Sequence, residues 1–157
     1  MAARMRKILI ALDATDEAEE VLEGATSLDP RGSVEFQVIT VIPPLLNGVS
    51  GMDGGAFAAS WPLRDMEETI AQETTKNIRE RVAAFGIEPE RVSTRIGRPA
   101  LEIRAHAEQI GADMIVIGAH GRSGLASLML GSTANGVLHN APCDVLTVSV
   151  SSTGKDE

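Results

Sequence analysis

The chain has one cysteine in 157 residues, Cys143, which excludes an internal disulfide framework and suits a reducing cytoplasm. No apolar run approaches the ~20 residues that a membrane helix needs. The run at 8–12 is too short for the core of a signal peptide, and Asp13 follows it. Positive charge is scarce: 14 Lys and Arg stand against 22 Asp and Glu, a formal net charge of −8. That balance argues against non-specific nucleic-acid binding. It also requires any phosphate ligand to be held by local donors against an unfavourable overall field. Neither the Walker A spacing nor the Rossmann G-x-G-x-x-G occurs, and no nucleophile stands beside an obvious base.

What is present is a hydrophobic content of 43%, enough for one soluble globular domain without staples. Residues 1–150 are expected to form that domain and 151–157 a polar tail. Residues 7–13 read as an apolar strand ending in an acid. Thr15 is placed to cap a helix carrying Ala18, Val21, Leu22, Ala25 and Leu28. Residues 34–42 form a second strand, closed by Pro43 and Pro44. A loop rich in Gly, Ala and Ser is expected over 45–62, a length that is usually functional or mobile. A long helix follows over 63–85, with Met66, Ile70, Ile78, Val82 and Phe85 facing inward and Gly86 as its stop.

Residues 91–96 read as a short edge strand. Pro99 then opens a helix carrying Ile103, Ala107 and Ile110, and Gly111 ends it. Residues 114–118 form a buried parallel strand, a helix begins near Ser132 with Val137, Leu138 and Ala141 on one face, and 144–150 is the last strand. The order βαβ–loop–αβαβαβ implies an α/β fold in three layers, a parallel sheet with helices on both faces.

The most informative stretch joins the fourth strand to the last helix: Gly118-x2-Gly121-x9-Gly131-Ser132-Thr133. Glycines at a strand's end and before a helix let backbone N–H groups approach an anion closely. The helix start adds its partial positive charge and a hydroxyl from Ser132 or Thr133. Such an arrangement can hold a polyphosphate. Arg122 could add charge there, although an exposed arginine is more often simply solvated.

This spacing resembles the G-x2-G-x9-G-[S/T] signature of the universal stress protein family, and the likeness runs from Ile8 to Val150. Its N-terminal part resembles Ile8-Leu-Ile-Ala-Leu-Asp13-Ala-Thr15, and its second strand Val38-Ile-Thr-Val41-Ile-Pro43. Its C-terminal part resembles Gly131-Ser-Thr-Ala and Asn140-Ala-Pro-Cys-Asp-Val-Leu. The resemblance implies a five-stranded parallel sheet of order 3-2-1-4-5, an adenine nucleotide alpha hydrolase-like, Rossmann-like fold. It implies the branch of the family that binds ATP (or ADP or AMP), with Ala11 and Val41 beside the ligand and the main chain of Val41 at the adenine. Asp13 then faces the ribose or the phosphates, directly or through Mg²⁺. Gly118, His120, Gly121, Arg122, Gly131, Ser132 and Thr133 fall around the phosphates.

The same resemblance implies a cytoplasmic regulatory or stress-response protein without a catalytic residue, acting on an unidentified regulated protein. It also implies a homodimer, or a multiple of one, built on strand 144–150 with Val145, Leu146 and Val148 near the contact. The competing readings are a slow ATP hydrolase, an adenylate-handling enzyme and a nucleotide-free dimeric scaffold. The enzyme reading lacks the HIGH-like and SGGxD-like motifs of adenylate-forming relatives. His106 reads as surface or satisfied core. His139 and Cys143 have metal-like spacing, but two ligands do not make a zinc site. Two departures stand out. Ala14 replaces a glycine after the acid, and Asn135-Gly136 replaces a charged pair, where glycine weakens a helix by ~1 kcal/mol.

Overall fold

A computed structural model describes residues 4–45, 55–119 and 131–151, the side chains of 55–61 excepted. Runs of Ile, Leu and Val give β1 (Arg6–Ala11), β2 (Val34–Ile42), β3 (Val92–Ile96), β4 (Met114–Ala119) and β5 (Asp144–Ser149). Between them lie α1 (Ala18–Thr26), α2 (Gly55–Ala83), α3 (Pro99–Ile110) and α4 (Ser132–Leu138), with a 3₁₀ turn at Pro89–Arg91. The sheet has five parallel strands in the order β3-β2-β1-β4-β5.

Alternation along each strand divides the core in two. Ile8, Ile10, Val38 and Val116 point to the side of α1 and α2, against Val21, Leu22, Ile78 and Val82. Leu9, Ile39, Ile115 and Ile117 point to the other side, against Ile103 and Ala107 of α3 and Ala134 and Val137 of α4. The three layers are therefore α1 and α2, the sheet, and α3 and α4. Ile8, Leu9 and Ile10 are each at most 1% exposed, because the central strand is covered on both faces. Burying a side chain of this size contributes about 1.5–3 kcal/mol. The chain leaves β1 toward β2 over one face and reaches β4 over the other. The strand order thus reverses between β1 and β4.

Several boundaries and faces differ from the sequence reading. Helix α2 begins at Gly55, eight residues before position 63, and takes in Trp61 and Pro62. The expected loop therefore ends sooner, and residues 46–54 lie outside the described ones. Its inward stripe is also rotated: Ile78 and Val82 are buried as expected, but Met66 is 53% and Ile70 36% exposed. Glu67 takes the inner position instead, because its Oε1 accepts the Leu45 N–H at 2.6 Å where β2 leaves the sheet. One residue along a helix turns the stripe by about 100°.

Thr15 does not cap α1. Glu17 occupies that position without a side-chain cap hydrogen bond, and the Thr15 hydroxyl donates to Asp13. Leu28 lies past the helix end and is exposed, as is Leu138 at the end of α4; Ala141 follows that helix. Strand β5 ends at Ser149, and Val150 is buried against α1 and β4.

Gly136 has a packing reason. A Cβ there would stand 2.7 Å from the Cβ of Ala100, so its absence lets α4 lie close on α3. Gly24 serves α1 in the same way, because a Cβ would meet Val148 of β5 at 2.8 Å.

Candidate functional site

The site is built from the carboxyl ends of three adjacent strands. In β1, Ala11 sits between Ile39 and Ile117 and is 8% exposed. The Leu12 N–H donates to the Ile39 carbonyl at 2.9 Å, which extends the ladder by one residue before the chain turns. Asp13 follows and is exposed. Its Oδ1 accepts the Thr15 hydroxyl at 2.5 Å, a local bond that holds the turn toward α1.

In β2, Val41 is half-buried and packs with the α3–α4 core, on the same side as Ala11. It lies opposite Arg95 of edge strand β3. In β4, Gly118 is opposite Val148 and close to α1: a Cβ would come 3.1 Å from Val21 Cγ2 and 3.6 Å from Val150 Cγ1. The glycine therefore has a structural reason beside any ligand role.

Helix α4 completes this end of the domain. Gly131 precedes it with φ −56° and ψ 155°, an ordinary conformation, so no positive φ demands glycine here. Its carbonyl accepts the Asn135 N–H at 2.9 Å. Ser132 is exposed and Thr133 half-buried in the first turn, where the N–H groups have no intrahelical acceptor. Ala134 and Val137 anchor the helix in the core that contains Ala11. Ala11, Asp13, Val41 and Gly118 thus share one end of the sheet, as the doubly wound topology requires. His120, Gly121 and Arg122 lie outside the described residues.

Sequence reasoning missed Arg81. From α2 its Nη1 donates to the Thr15 carbonyl at 2.9 Å and its Nη2 lies 3.9 Å from Asp16. No local pattern signals a bond across 66 residues.

A second polar cluster sits beside Val41. Arg95 donates to His106 Nδ1 at 3.0 Å and to Gln109 Oε1 at 2.5 Å, and lies 3.5 Å from Glu102. His106 is core, at 7% exposed, but only half satisfied. Because Arg95 can only donate, Nδ1 accepts and Nε2 carries the hydrogen. That Nε2 is buried with no partner among the described residues. Burial pushes the imidazole below its ordinary value, and the Arg95 charge acts the same way.

Cys143 is half-buried and burial pushes its thiol up, followed by the charges of Asp144 and Asp113. No group of three or more metal-ligating side chains occurs among the described residues.

A parallel sheet covered on both faces, with its strand order reversing between β1 and β4, defines the doubly wound α/β class, whose ligands enter at the strand carboxyl ends. The sequence model of the universal stress protein family matches residues 5–149, and the chain belongs to that family. Universal stress protein A homolog 1 of Coxiella burnetii is 34% identical over 146 residues, covering 91% of this chain and 95% of that one. The structure of universal stress protein UspA from Lactobacillus plantarum is similar with a TM-score of 0.69 and 25% identity, over 93% of this chain and 99% of that one. A universal stress protein solved in complex with cAMP matches at a TM-score of 0.59 over 95% of this chain and 100% of that one. Its identity of 20% carries the fold alone. No described helix is long and apolar enough to cross a membrane.

Proposed function

We propose that this chain is a cytoplasmic, ATP-binding universal stress protein that acts as a nucleotide-dependent regulatory or stress-response factor. Residues 1–150 are its nucleotide-binding domain. The observation that carries this reading is the meeting of Asp13, Val41 and Gly118 at one end of the sheet, joined to the Gly118-x2-Gly121-x9-Gly131-Ser132 spacing. A neighbour of the same fold was solved with cAMP, an adenine nucleotide, and that is the class of ligand proposed for this chain.

In this reading the main chain of Val41 meets the adenine and Ala11 lines the crevice floor. Gly118, Gly121 and Gly131 leave room for phosphates, Ser132 and Thr133 supply hydroxyls and N–H groups, and His120 and Arg122 stand beside them. Asp13 binds the ribose or a Mg²⁺ ion. One carboxylate is enough for the ion, because magnesium is usually held by one or two carboxylates together with the substrate's phosphates.

Strand β5 pairs only with β4 among the described strands, and residues 143–150 contain no Lys, Arg or Pro. Such an edge invites pairing with a second copy, and the protein works as a homodimer through it. Mass spectrometry of denatured, freshly purified protein tests the ligand: ATP, ADP or AMP should co-purify. Protein that carries no nucleotide and takes up no added ATP is a nucleotide-free scaffold instead.

A further inference from the structure

Arg81 is where helix α2 meets the loop that carries Asp13. Its guanidinium is fixed in three directions: Nε donates to Asn77 Oδ1 at 2.8 Å, Nη1 to the Thr15 carbonyl at 2.9 Å, and Nη2 faces Asp16 at 3.9 Å. The Asp16 side chain is fully exposed, so that ion pair contributes little. The bond to Thr15 is the one that constrains the loop. Thr15 in turn donates its hydroxyl to Asp13 Oδ1, and Asp13 Oδ2 has no hydrogen-bond partner among the described residues.

We infer that Arg81 is a positioning residue for the nucleotide site. Through Thr15 it holds the Asp13 carboxylate so that Oδ1 is occupied and Oδ2 is presented to a ribose hydroxyl or a cation. This rests on the nucleotide reading above. Arg81 need not touch the ligand; its effect passes through Asp13. The guanidinium is well suited to this because its donors lie in a rigid plane, whereas a lysine ammonium would reach Thr15 without the fork.

Arg81→Met keeps the apolar stem and removes every donor. In calorimetric titrations of the full chain with ATP, it should weaken binding about tenfold, the effect of one lost hydrogen bond from a charged group. Arg81→Lys should recover part of that loss. In an Asp13→Ala background the same Arg81→Met change should alter affinity by no more than roughly twofold, because coupled residues are not additive.

An equal loss in both backgrounds would show that Arg81 acts independently of Asp13 and would overturn the inference. Amide hydrogen exchange of residues 13–17 without nucleotide provides a second readout. It should quicken in Arg81→Met, and unchanged exchange also overturns the inference. Wild type that binds no adenine nucleotide overturns the nucleotide reading and the ligand role of Arg81 with it. Wild type that binds ATP no better than Arg81→Met overturns this inference alone.

Discussion

Adding one methyl group at Gly136 sets two effects against each other. In an isolated helix Gly→Ala stabilises by about 1 kcal/mol, because glycine has more backbone freedom to lose on folding. In this fold the new Cβ would stand 2.7 Å from the Cβ of Ala100. Carbon atoms prefer about 3.5–4.0 Å, so α4 must move away from α3 by about 1 Å. Neither alanine has a rotamer that could relieve the contact, and Ala100 follows Pro99 in the first turn of α3. Overpacking of this kind costs about 1–3 kcal/mol, so the balance is a net loss of about 1 kcal/mol.

For a domain of this size that lowers Tm by about 2–4 °C, measurable by calorimetry or circular dichroism. Helix α4 begins with the Gly131-Ser132-Thr133 turn, so its displacement should also weaken ATP binding. Ala100→Gly in the Gly136→Ala background should recover most of the contact energy, giving a coupling of about 1 kcal/mol or more. An unchanged or raised Tm in Gly136→Ala alone would refute the argument that close helix packing, and not ligand geometry, selects glycine here.

Four further outcomes are expected. Asp13→Ala should weaken Mg·ATP more than metal-free ATP in parallel titrations; equal losses point to the ribose, and no loss reduces Asp13 to a turn residue. Wild-type protein should sediment as a dimer or a multiple of one, and persistent monomer across micromolar concentrations refutes pairing through β5. Val148→Pro should break that assembly and also loosen α1, since Val148 packs over Gly24. For His106 the folded-state pKa lies below the unfolded one, so its contribution to stability is present above about pH 6.5 and is lost as pH falls through the folded value. His106→Gln should therefore flatten the stability profile on the acid side of neutrality in urea titrations, and an identical slope in both proteins contradicts the assignment.

The strands were legible because their apolar runs have the right length and sit between Gly, Pro and Asp breaks. Val34–Ile42 was read with both of its ends, and Pro99 and Gly111 bounded α3 as expected. Resemblance supplied the order β3-β2-β1-β4-β5, which the structure has. The start of α2 was missed because Pro62 looks like a boundary, and proline inside a helix is the exception. Its inner face differs only in the N-terminal part, at Met66 and Ile70, because a carboxylate, Glu67, is drawn inward by the Leu45 N–H, which no hydrophobic pattern reveals. At the candidate site, the strand-end positions of Asp13 and Gly118 are local signals in the sequence, whereas Val41 rests on the resemblance alone; the structure puts all three at one end of the sheet. The Arg81–Thr15 bond and the Gly136–Ala100 contact join segments far apart in the chain and appear only once the layers are assembled.

The most direct measurement is the affinity of the purified wild-type protein for ATP, beside a folded Gly121→Val, Gly131→Val double variant. Branched side chains at these two positions would occupy the space assigned to the phosphates. A nucleotide site at the strand ends requires saturable binding by wild type, and none by the double variant at concentrations that saturate wild type. Equal ATP affinity in the two proteins, or none in either, would contradict it.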